Sequence, residues 1–409
     1  MNTHAHKSIF SFTKNVAIAT VFAVAASGFG LDPVQAATDI KVSAWIPYWR
    51  AEQGIESSTD RLDQLTTLHP FGYSVHSDGT LNDLFDIKSK ASKKLFKKAV
   101  AKNVEVIPTV MWSEGFSINK VLNDTQLRAA HVKEIATMVK KGKYSGVDID
   151  YEAKWAETRE GYSAFLKELK SALGSKLLVC TIESRTPPES LYTKIPEKIE
   201  YVNDYEVIGK YCDRVQLMTY DQGRADIKLN AARMGAPYIP VADIEWVKKV
   251  VELTVKSIPK EKIMLGVATY GREYQVTVAP DWYKSYTKIY SLNQDIAHEE
   301  AAAYSIKPGR NSAGELSFSY FATTSPFSIL SKLPVPKGTA EADKAAVQAL
   351  MFANATKREV NFNLVWWSDS EAIKQKAQLA KDLGLQGIAI FKVDGGEDPG
   401  VWDTLADLK

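Results

Sequence analysis

The strongest constraint on the fold of this chain is a succession of eight short apolar segments separated by longer amphipathic ones. Each short segment is rich in β-branched or aromatic residues, which is typical of strands covered on both faces. Eight such strands alternating with helices predict a parallel (β/α)8 barrel of the α/β class, although an open doubly wound sheet fits the same alternation. The eight predicted strands are 41–47, 71–75, 104–110, 146–152, 177–183, 214–221, 262–271 and 387–393.

The segments between the strands carry helical periodicity. In residues 162–173 the apolar side chains form one stripe, and Gly174 follows as a stop signal. Residues 89–102 and 125–140 mix apolar and basic residues in a similar pattern, and residues 370–383 form another helical stretch before the last strand. These segments are therefore predicted to be the outer helices of the barrel.

One connection is far longer than an ordinary βα unit, because about 115 residues separate the seventh and eighth predicted strands. Its aromatic, strand-like pieces and a helical stretch near 340–356 predict an α+β insertion subdomain at 274–367. We expect it to lie on the C-terminal face of a barrel formed by residues 37–273 and 368–409, where barrel loops build active sites.

The first 36 residues have the composition of an export signal. Lys7 and Lys14 give a basic start, an apolar stretch follows at 16–31, and small residues end at Ala36. We expect residues 1–36 to be removed, leaving a protein that is secreted or held in the cell envelope without stable membrane insertion. The stretch is short for a membrane span, but an uncleaved anchor fits the same pattern.

Charge and cysteine content narrow the classes of partner. The formal net charge is +2, from 51 basic and 49 acidic residues. We expect no nucleic-acid partner, because phosphate binding needs concentrated positive charge. Cys180 and Cys212, the two cysteines, fit either a disulfide in an exported protein or two buried thiols. Their spacing to the histidines does not indicate a metal site.

The most informative segment is YSGVDIDYEAKW, in which Asp148, Asp150 and Glu152 occupy alternate positions. Alternate side chains on a strand face one side, so three carboxyl groups line one face of the fourth strand. Repulsion is expected to keep one of them protonated near neutral pH, as a general acid requires. Glu152 lies nearest the C-terminal end of the strand, where barrel enzymes hold catalytic groups. A strand with a solvated polar face shows the same alternation, but barrel strands have no such face.

Several motifs together resemble one family. SGVDIDYE resembles the DxxDxDxE signature of glycoside hydrolase family 18, the chitinase and chitinase-like family. QLMTYD at 216–221 resembles its sixth-strand motif, and WWSDSEAIKQKAQLAKDLGLQGIAIFKVDGGEDPGVW resembles its closing helix, eighth strand and final turn. HPFGYSVHSDGTL at 69–81 is most similar to the branch that acts on spore cortex and peptidoglycan. The resemblance covers most of the mature chain, including the insertion.

The resemblance implies a role for each matching residue. Glu152 would protonate the glycosidic oxygen, and Asp150 would hold the substrate's 2-acetamido group, whose oxygen attacks the anomeric carbon. Asp148 would tune the protonation of Asp150 as a coupled pair. Tyr220 and Asp221 would hydrogen-bond the acetamide and stabilise the positive charge that develops.

Further matches indicate side chains that bind substrate. Met218 would contribute to the floor of the cleft, and Phe391 stands where many members have a tryptophan beneath the cleaved sugar. Arg272 either contacts substrate or pairs with a local carboxylate. Aromatic residues that could stack on sugars or pack in the core are Trp45, Tyr48, Trp112, Tyr270 and Trp282.

Two departures from the family pattern qualify the resemblance. Ser145 replaces the first aspartate of the signature, at a position that supports the strand and leaves the chemistry to its neighbours. The Ser/Gly-rich motif common on the third strand is replaced by PTVMWSEG, which argues against an ordinary chitinase and fits the peptidoglycan branch.

The sequence thus predicts an exported retaining glycosidase that cleaves β-linked N-acetylglucosamine polymers, of peptidoglycan or chitin type, by substrate-assisted catalysis. No metal or cofactor is expected, and we expect a monomer. The alternative is a non-catalytic, chitinase-like carbohydrate-binding protein. Such proteins commonly lack the acid, whereas Glu152 is present here.

Overall fold

The computed structural model describes residues 40–408, so the predicted export signal at 1–36 lies outside the described residues. The strands are β1 (Lys41–Pro47), β2 (Thr67–Val75), β3 (Leu81–Asp83), β4 (Glu105–Val106), β5 (Thr109–Trp112), β6 (Gly146–Tyr151), β7 (Leu177–Glu183), β8 (Arg214–Met218), β9 (Ile263–Ala268), β10 (Tyr270–Ala279), β11 (Trp282–Asn293), β12 (Gly309–Arg310), β13 (Leu316–Tyr320), β14 (Val360–Trp367) and β15 (Gly387–Phe391). The α-helices are α1 (Ala51–Thr59), α2 (Lys90–Ala101), α3 (Gly115–Asn123), α4 (Thr125–Gly142), α5 (Arg159–Leu173), α6 (Pro188–Leu191), α7 (Tyr205–Tyr211), α8 (Ile227–Ala232), α9 (Ile244–Thr254), α10 (Gln294–Ala303), α11 (Lys344–Thr356), α12 (Ser370–Asp382) and α13 (Pro399–Ala406).

Eight strand positions close into a parallel barrel. Strand β1 pairs in parallel with both β15 and β2, and the order continues through β9, β8, β7, β6 and β5 back to β2. The third position is shared by β4 and β5, which Ile107 and Pro108 separate, because proline cannot donate a ladder hydrogen bond. The predicted barrel is confirmed, and the open-sheet alternative is wrong.

The helix layer follows the sequence periodicity. The stripe predicted at 162–173 forms the buried face of α5, where Tyr162, Phe165 and Leu169 have almost no exposed surface. Burial of each such side chain stabilises the fold by roughly 1.5–3 kcal/mol. The helix ends at Gly174, whose φ of 60° is a conformation that glycine adopts without strain.

The seventh predicted strand, 262–271, is wrong at its end. Strand β9 stops at Ala268, and Tyr270 begins β10, which belongs to a second, antiparallel sheet of five strands in the order β11-β10-β14-β13-β12. A Cβ on Gly271 would lie 2.3 Å from the Cβ of Trp367, so only glycine permits this close approach to β14. A continuous apolar run carries no sign that the strand changes its partner, which is why the break was missed.

The second sheet and the helices α10 and α11 form the α+β insertion between the seventh and eighth barrel strands. Its strands run from Tyr270 to Trp367. The domain boundaries at 274 and 367 remain a prediction. No helix within residues 40–408 is long and apolar enough to cross a membrane.

Cys180 and Cys212 form a disulfide, with Cα atoms 6.0 Å apart. Cys180 lies on β7 and Cys212 directly follows α7, and both are fully buried. Of the two readings left open by the sequence, the bonded pair is the observed one.

Candidate active site

The fourth barrel strand, β6, carries a carboxyl group into the centre of the barrel. Asp148 has no exposed surface, and its Oδ2 accepts hydrogen bonds from Trp45 Nε1 at 3.0 Å and Thr109 Oγ1 at 2.7 Å. Its Oδ1 accepts a third from Thr181 Oγ1 at 2.8 Å. Three donors from three other strands therefore satisfy a group whose burial alone would be costly.

Burial raises the pKa of Asp148 to about 6, and the hydrogen bonds from Thr109, Thr181 and Trp45 limit the rise. His69 Nδ1 lies 4.0 Å from Asp148 Oδ2, but burial, with a contribution from Arg214, lowers the pKa of His69 to about 3. The imidazole is therefore neutral at pH 7. Its Nδ1 is also 3.0 Å from the carbonyl of Ile107, which makes that nitrogen the protonated one.

Asp150 is the next residue on the same face, and it is 4% exposed. Its Oδ1 has no hydrogen-bond partner among residues 40–408. Burial raises the pKa of Asp150 well above its usual value, the charges of Glu152 and Asp148 raise it further, and Lys154 opposes the rise. These surroundings therefore favour the protonated form of the Asp150 carboxyl, and one of its oxygens is free to receive a ligand.

Glu152 follows the last residue of β6 and is half-buried. Its backbone N–H donates to the Trp112 carbonyl at 2.8 Å, which ties it to the neighbouring strand. Burial raises the pKa of its carboxyl, Glu183 and Asp221 raise it further, and Lys154 lowers it. The sequence argument attributed such shifts to repulsion, whereas burial is the larger cause at all three acids.

Two charged residues of the site were not identified from the sequence. Lys154 is a fully buried side chain that donates to the carbonyl of Tyr151 and lies 3.4 Å from Glu183 Oε2. Glu183 ends β7, and its Oε2 also accepts from Asn203 Nδ2 at 2.9 Å. The sequence did contain a signal for Glu183, because a carboxylate ends the fifth predicted strand, 177–183, as Glu152 ends the fourth, 146–152. None existed for the lysine.

An aromatic floor surrounds Phe391, at the end of the last barrel strand. Its ring stacks on Tyr220, with centroids 5.8 Å apart and planes at 22°. It meets Trp45, Phe71 and Tyr270 edge-on at 5.7–6.3 Å. Such offset and edge-to-face contacts fix ring orientation, so the floor is rigid before a ligand arrives.

Beside the floor, the chain turns sharply after the sixth barrel strand. Asp221 adopts a left-handed conformation with a φ of 57°. Its Oδ1 accepts from the hydroxyl of Tyr270 at 2.7 Å and pairs with Arg272 Nη2 at 2.6 Å. Arg272 thus pairs with a local carboxylate, one of the two readings the sequence left open.

Two adjoining cavities open at this end of the barrel. One, of about 480 Å³, is lined by Asp150 and Glu152, and the other, of about 580 Å³, by Asp221 and Arg272. They share Phe391 and Trp49. Trp49 is 49% exposed and was not identified from the sequence. Other lining residues include Tyr48, Phe71, Met111, Trp112, Glu114, Arg50, Tyr270 and Asp394.

Not every predicted aromatic lies ready to stack on a sugar. Trp112 borders the smaller cavity, but only 4% of it is exposed, and its ring packs edge-on against Tyr151 and His131. Trp45 lies beneath the site as a hydrogen-bond donor. Trp282 is on β11 and lines a different cavity.

Met218 ends strand β8 and is partly buried against the core. Its carbonyl oxygen accepts from Ser184 Oγ at 2.5 Å. The structure therefore shows its role in packing, and its predicted place in the cleft floor stays a prediction.

Acidic side chains and aromatic rings gathered at the C-terminal ends of barrel strands have the construction of a glycosidase. The sequence model described as "Glycosyl hydrolases family 18" matches residues 44–396, and the chain belongs to that family. It is accordingly a glycoside hydrolase.

Individual relatives are distant. The chain is 24% identical to the "Uncharacterized glycosylase YvbX" of Bacillus subtilis, over 71% of this chain and 69% of the relative. It is 25% identical to the "Cortical fragment-lytic enzyme" of Bacillus subtilis, over 84% of this chain and 68% of the relative. The chain thus spans about two thirds of the length of these relatives. The spore cortex-lytic enzyme SleL of Bacillus cereus has a similar structure, with a TM-score of 0.65, 20% identity, and coverage of 90% and 74% of the two chains.

The raised pKa of Asp148 predicts a pH dependence of stability. The folded protein holds this proton more tightly than the unfolded chain, so the stabilisation is complete below about pH 4 and is lost as pH rises through about 6. Asp148→Asn cannot ionise, so its free energy of unfolding should improve relative to the native chain by roughly 3 kcal/mol between pH 4 and 8. Urea unfolding at a series of pH values measures this, and a constant difference would contradict it.

Proposed function

We propose that this enzyme is an exported, retaining glycosidase that cleaves β-linked N-acetylglucosamine polymers of the peptidoglycan type. The observation that carries the proposal is the buried Asp150 oxygen without a partner, next to the half-buried Glu152, in a cavity floored by Phe391. An acetamide N–H is the donor that such an oxygen lacks.

In the proposed first step, Glu152 gives its proton to the glycosidic oxygen as the bond from that oxygen to the anomeric carbon breaks. The acetamide oxygen of the same sugar forms the new bond to that carbon, giving an oxazolinium-like intermediate. The raised pKa of Glu152 favours the protonated form that this step requires. Water then attacks the carbon as its bond to the acetamide oxygen breaks, which restores the acetamide, and the water gives a proton to Glu152. Two inversions therefore retain the configuration.

Asp150 positions the acetamide in this scheme. Its carboxylate accepts the acetamide N–H and balances the positive charge of the intermediate. A proton held by Asp150 in the empty site would move to Asp148, which can accept it because burial raises its pKa to about 6. The two aspartates would therefore titrate as a pair.

The remaining groups orient the sugar. Tyr220 is fixed by its stack on Phe391, and its hydroxyl would meet the acetamide oxygen. Tyr270 and Arg272 hold Asp221, which would bind the same sugar. The exposed Trp49, shared by both cavities, and Tyr48 are suited to stack on neighbouring sugars.

Two considerations favour peptidoglycan over chitin as the substrate, and one favours export of the protein. Relatives that match most of this chain carry the names of cortex-lytic enzymes, and the third strand lacks the chitinase-type motif. The first 36 residues have an export-signal composition. The proposed domain plan remains an export signal at 1–36, a barrel at 37–273 and 368–409, and an insertion at 274–367.

Replacing the proposed acid tests the reaction. Glu152→Gln should lower kcat by about 10²–10⁴-fold while leaving substrate binding intact, because one acid–base group contributes about that much. Glu157→Gln, at an exposed residue of the short 3-10 helix that follows (Ala156–Thr158), is the matched control. Mass spectrometry of the products from purified peptidoglycan and from chito-oligosaccharides measures both variants. Unchanged turnover in Glu152→Gln would exclude this role.

The substrate itself tests acetamide participation. A de-N-acetylated oligosaccharide of the same length should be cleaved at least roughly 100-fold more slowly, because no internal nucleophile remains. Binding should fall less than turnover. The initial rates of the two substrates give the comparison, and equal rates would point to an enzyme carboxylate as the nucleophile.

Replacement of Lys154 tests what sets the pKa of Glu152. Burial raises the pKa of Glu152 and Lys154 lowers it, so Lys154→Met should raise that pKa. Because the protonated form is the active one, the alkaline limb of kcat/KM should move to higher pH. Lys154→Arg keeps the positive charge, so its alkaline limb should lie at the same pH as that of the native enzyme. A loss of stability with an unmoved limb would show that Lys154 only supports the loop.

A further inference from the structure

One large cavity in the described part of the chain lies outside the proposed active site. It has a volume of about 920 Å³ and runs between α2 and α4 on the outside of the barrel. Its floor contains Tyr73, Phe96, Met138 and Tyr144, and its walls carry Lys88, Lys93, Lys133 and Lys141. We name this cavity the lysine groove.

Positive charge is concentrated around the lysine groove. Residues 88–102 contain seven lysines and no acidic residue, and residues 130–143 contain four lysines and one glutamate. The whole chain carries only +2, so the remainder is net negative. In the sequence most of these lysines fall in two separate stretches, 89–102 and 125–140, that are predicted to be outer helices of the barrel. The fold places the two helices on either side of one cavity.

The wall lysines are free to receive a ligand. Lys88, Lys93, Lys133 and Lys141 are exposed, and none has a carboxylate within 4.0 Å in the described part of the chain. The two acids that also line the groove have other contacts. Glu134 accepts from the backbone N–H of Leu81 at 2.9 Å.

The second acid, Asp83, accepts from the backbone N–H groups of Phe85 and Ile87 at 3.1–3.3 Å. Each acid therefore holds the loop between β2 and α2 in place. Four cations against two acids leave the groove with a surplus of positive charge.

We propose that the lysine groove binds a linear polymer of polyol phosphates. The volume fits a few repeat units of a flexible chain, because it lies in the range of small-ligand sites. The walls carry only lysine, whose compact ammonium suits the single charge of each phosphodiester, whereas arginine favours planar, two-oxygen partners. The apolar floor suits the CH groups of the polyol.

The floor disfavours a nucleic acid. Single strands bind through bases stacked on free aromatic faces. Here Tyr73 and Tyr144 are each 8% exposed and hydrogen-bonded to each other, and Phe96 meets Tyr144 edge-on at 6.4 Å. The two tyrosine rings therefore expose little surface on which a base could stack. A duplex is too wide for a cavity of this volume.

The test uses the full chain and a defined polymer. Calorimetry or fluorescence anisotropy should show binding of poly(glycerol phosphate) that weakens as salt rises, because binding releases counterions. Poly-L-glutamate, double-stranded DNA and vesicles containing phosphatidylglycerol are the comparison probes. Binding of any of these as tightly as poly(glycerol phosphate), or no binding of that polymer, would overturn the proposal.

Two variants distinguish binding in the lysine groove from non-specific attraction to lysines elsewhere on the surface. The combined replacement Lys88→Gln, Lys93→Gln, Lys133→Gln and Lys141→Gln should weaken binding roughly 10- to 100-fold. The matched control replaces four exposed lysines elsewhere, namely Lys307, Lys332, Lys337 and Lys374, and should bind as the native chain does. Equal losses in both would overturn the proposal.

A third variant tests the shape of the groove without changing charge. Ala130 is exposed on α4 and lines the cavity, so Ala130→Trp should fill it and weaken binding at least roughly tenfold. Cleavage of a short uncharged oligosaccharide should be unchanged in all variants, because the groove lies apart from the acids of β6. Native-like polymer binding by Ala130→Trp would overturn the groove as the site.

Discussion

The hydrogen bonds to the fully buried carboxyl of Asp148 are the interaction on which the rest of the structure depends. Trp45, Thr109 and Thr181 donate from three different strands, so the same bonds that offset the cost of burying the acid also join β1, β5 and β7 to β6. A shift of any of these strands by one residue would turn its donor to the opposite face. These hydrogen bonds at the centre of the barrel therefore fix the register of its strands.

From this centre the environment of the acids changes in steps along β6. Asp148 has three donors and a pKa of about 6, Asp150 has an oxygen without a partner and a pKa well above its usual value, and Glu152 reaches the open cavity. The acids differ in surroundings although they repeat in sequence. In the proposed mechanism these surroundings suit Asp148 to tune its neighbour, Asp150 to hold the acetamide and Glu152 to donate the proton. Lys154 limits the rise in the pKa of Asp150 and of Glu152.

The barrel and the second sheet meet at the cleft. Tyr270 and Arg272 stand at the start of β10, directly after the seventh barrel strand, and both hold Asp221. Phe391 ends the eighth strand and packs against Tyr220 and Tyr270. The second sheet therefore contributes to the cleft, because the first residues of β10 form one wall of the cavity.

The sequence by itself indicated eight strands, the alternating acids and the family, because these follow from periodicity and motifs within short segments. It predicted a closed barrel but left an open sheet as an alternative, and the pairing of β1 with both β15 and β2 decided between them. Tertiary structure decided that Trp45 donates to an acid while Trp112 packs in the core, and that Glu183 and Lys154 join the site. It also decided that the chain changes sheet after Ala268 and that the lysines of α2 and α4 share one groove. Some of these contacts join residues about a hundred positions apart in the sequence. Local periodicity indicates which side of its own element a side chain occupies, but not which distant residue it will contact.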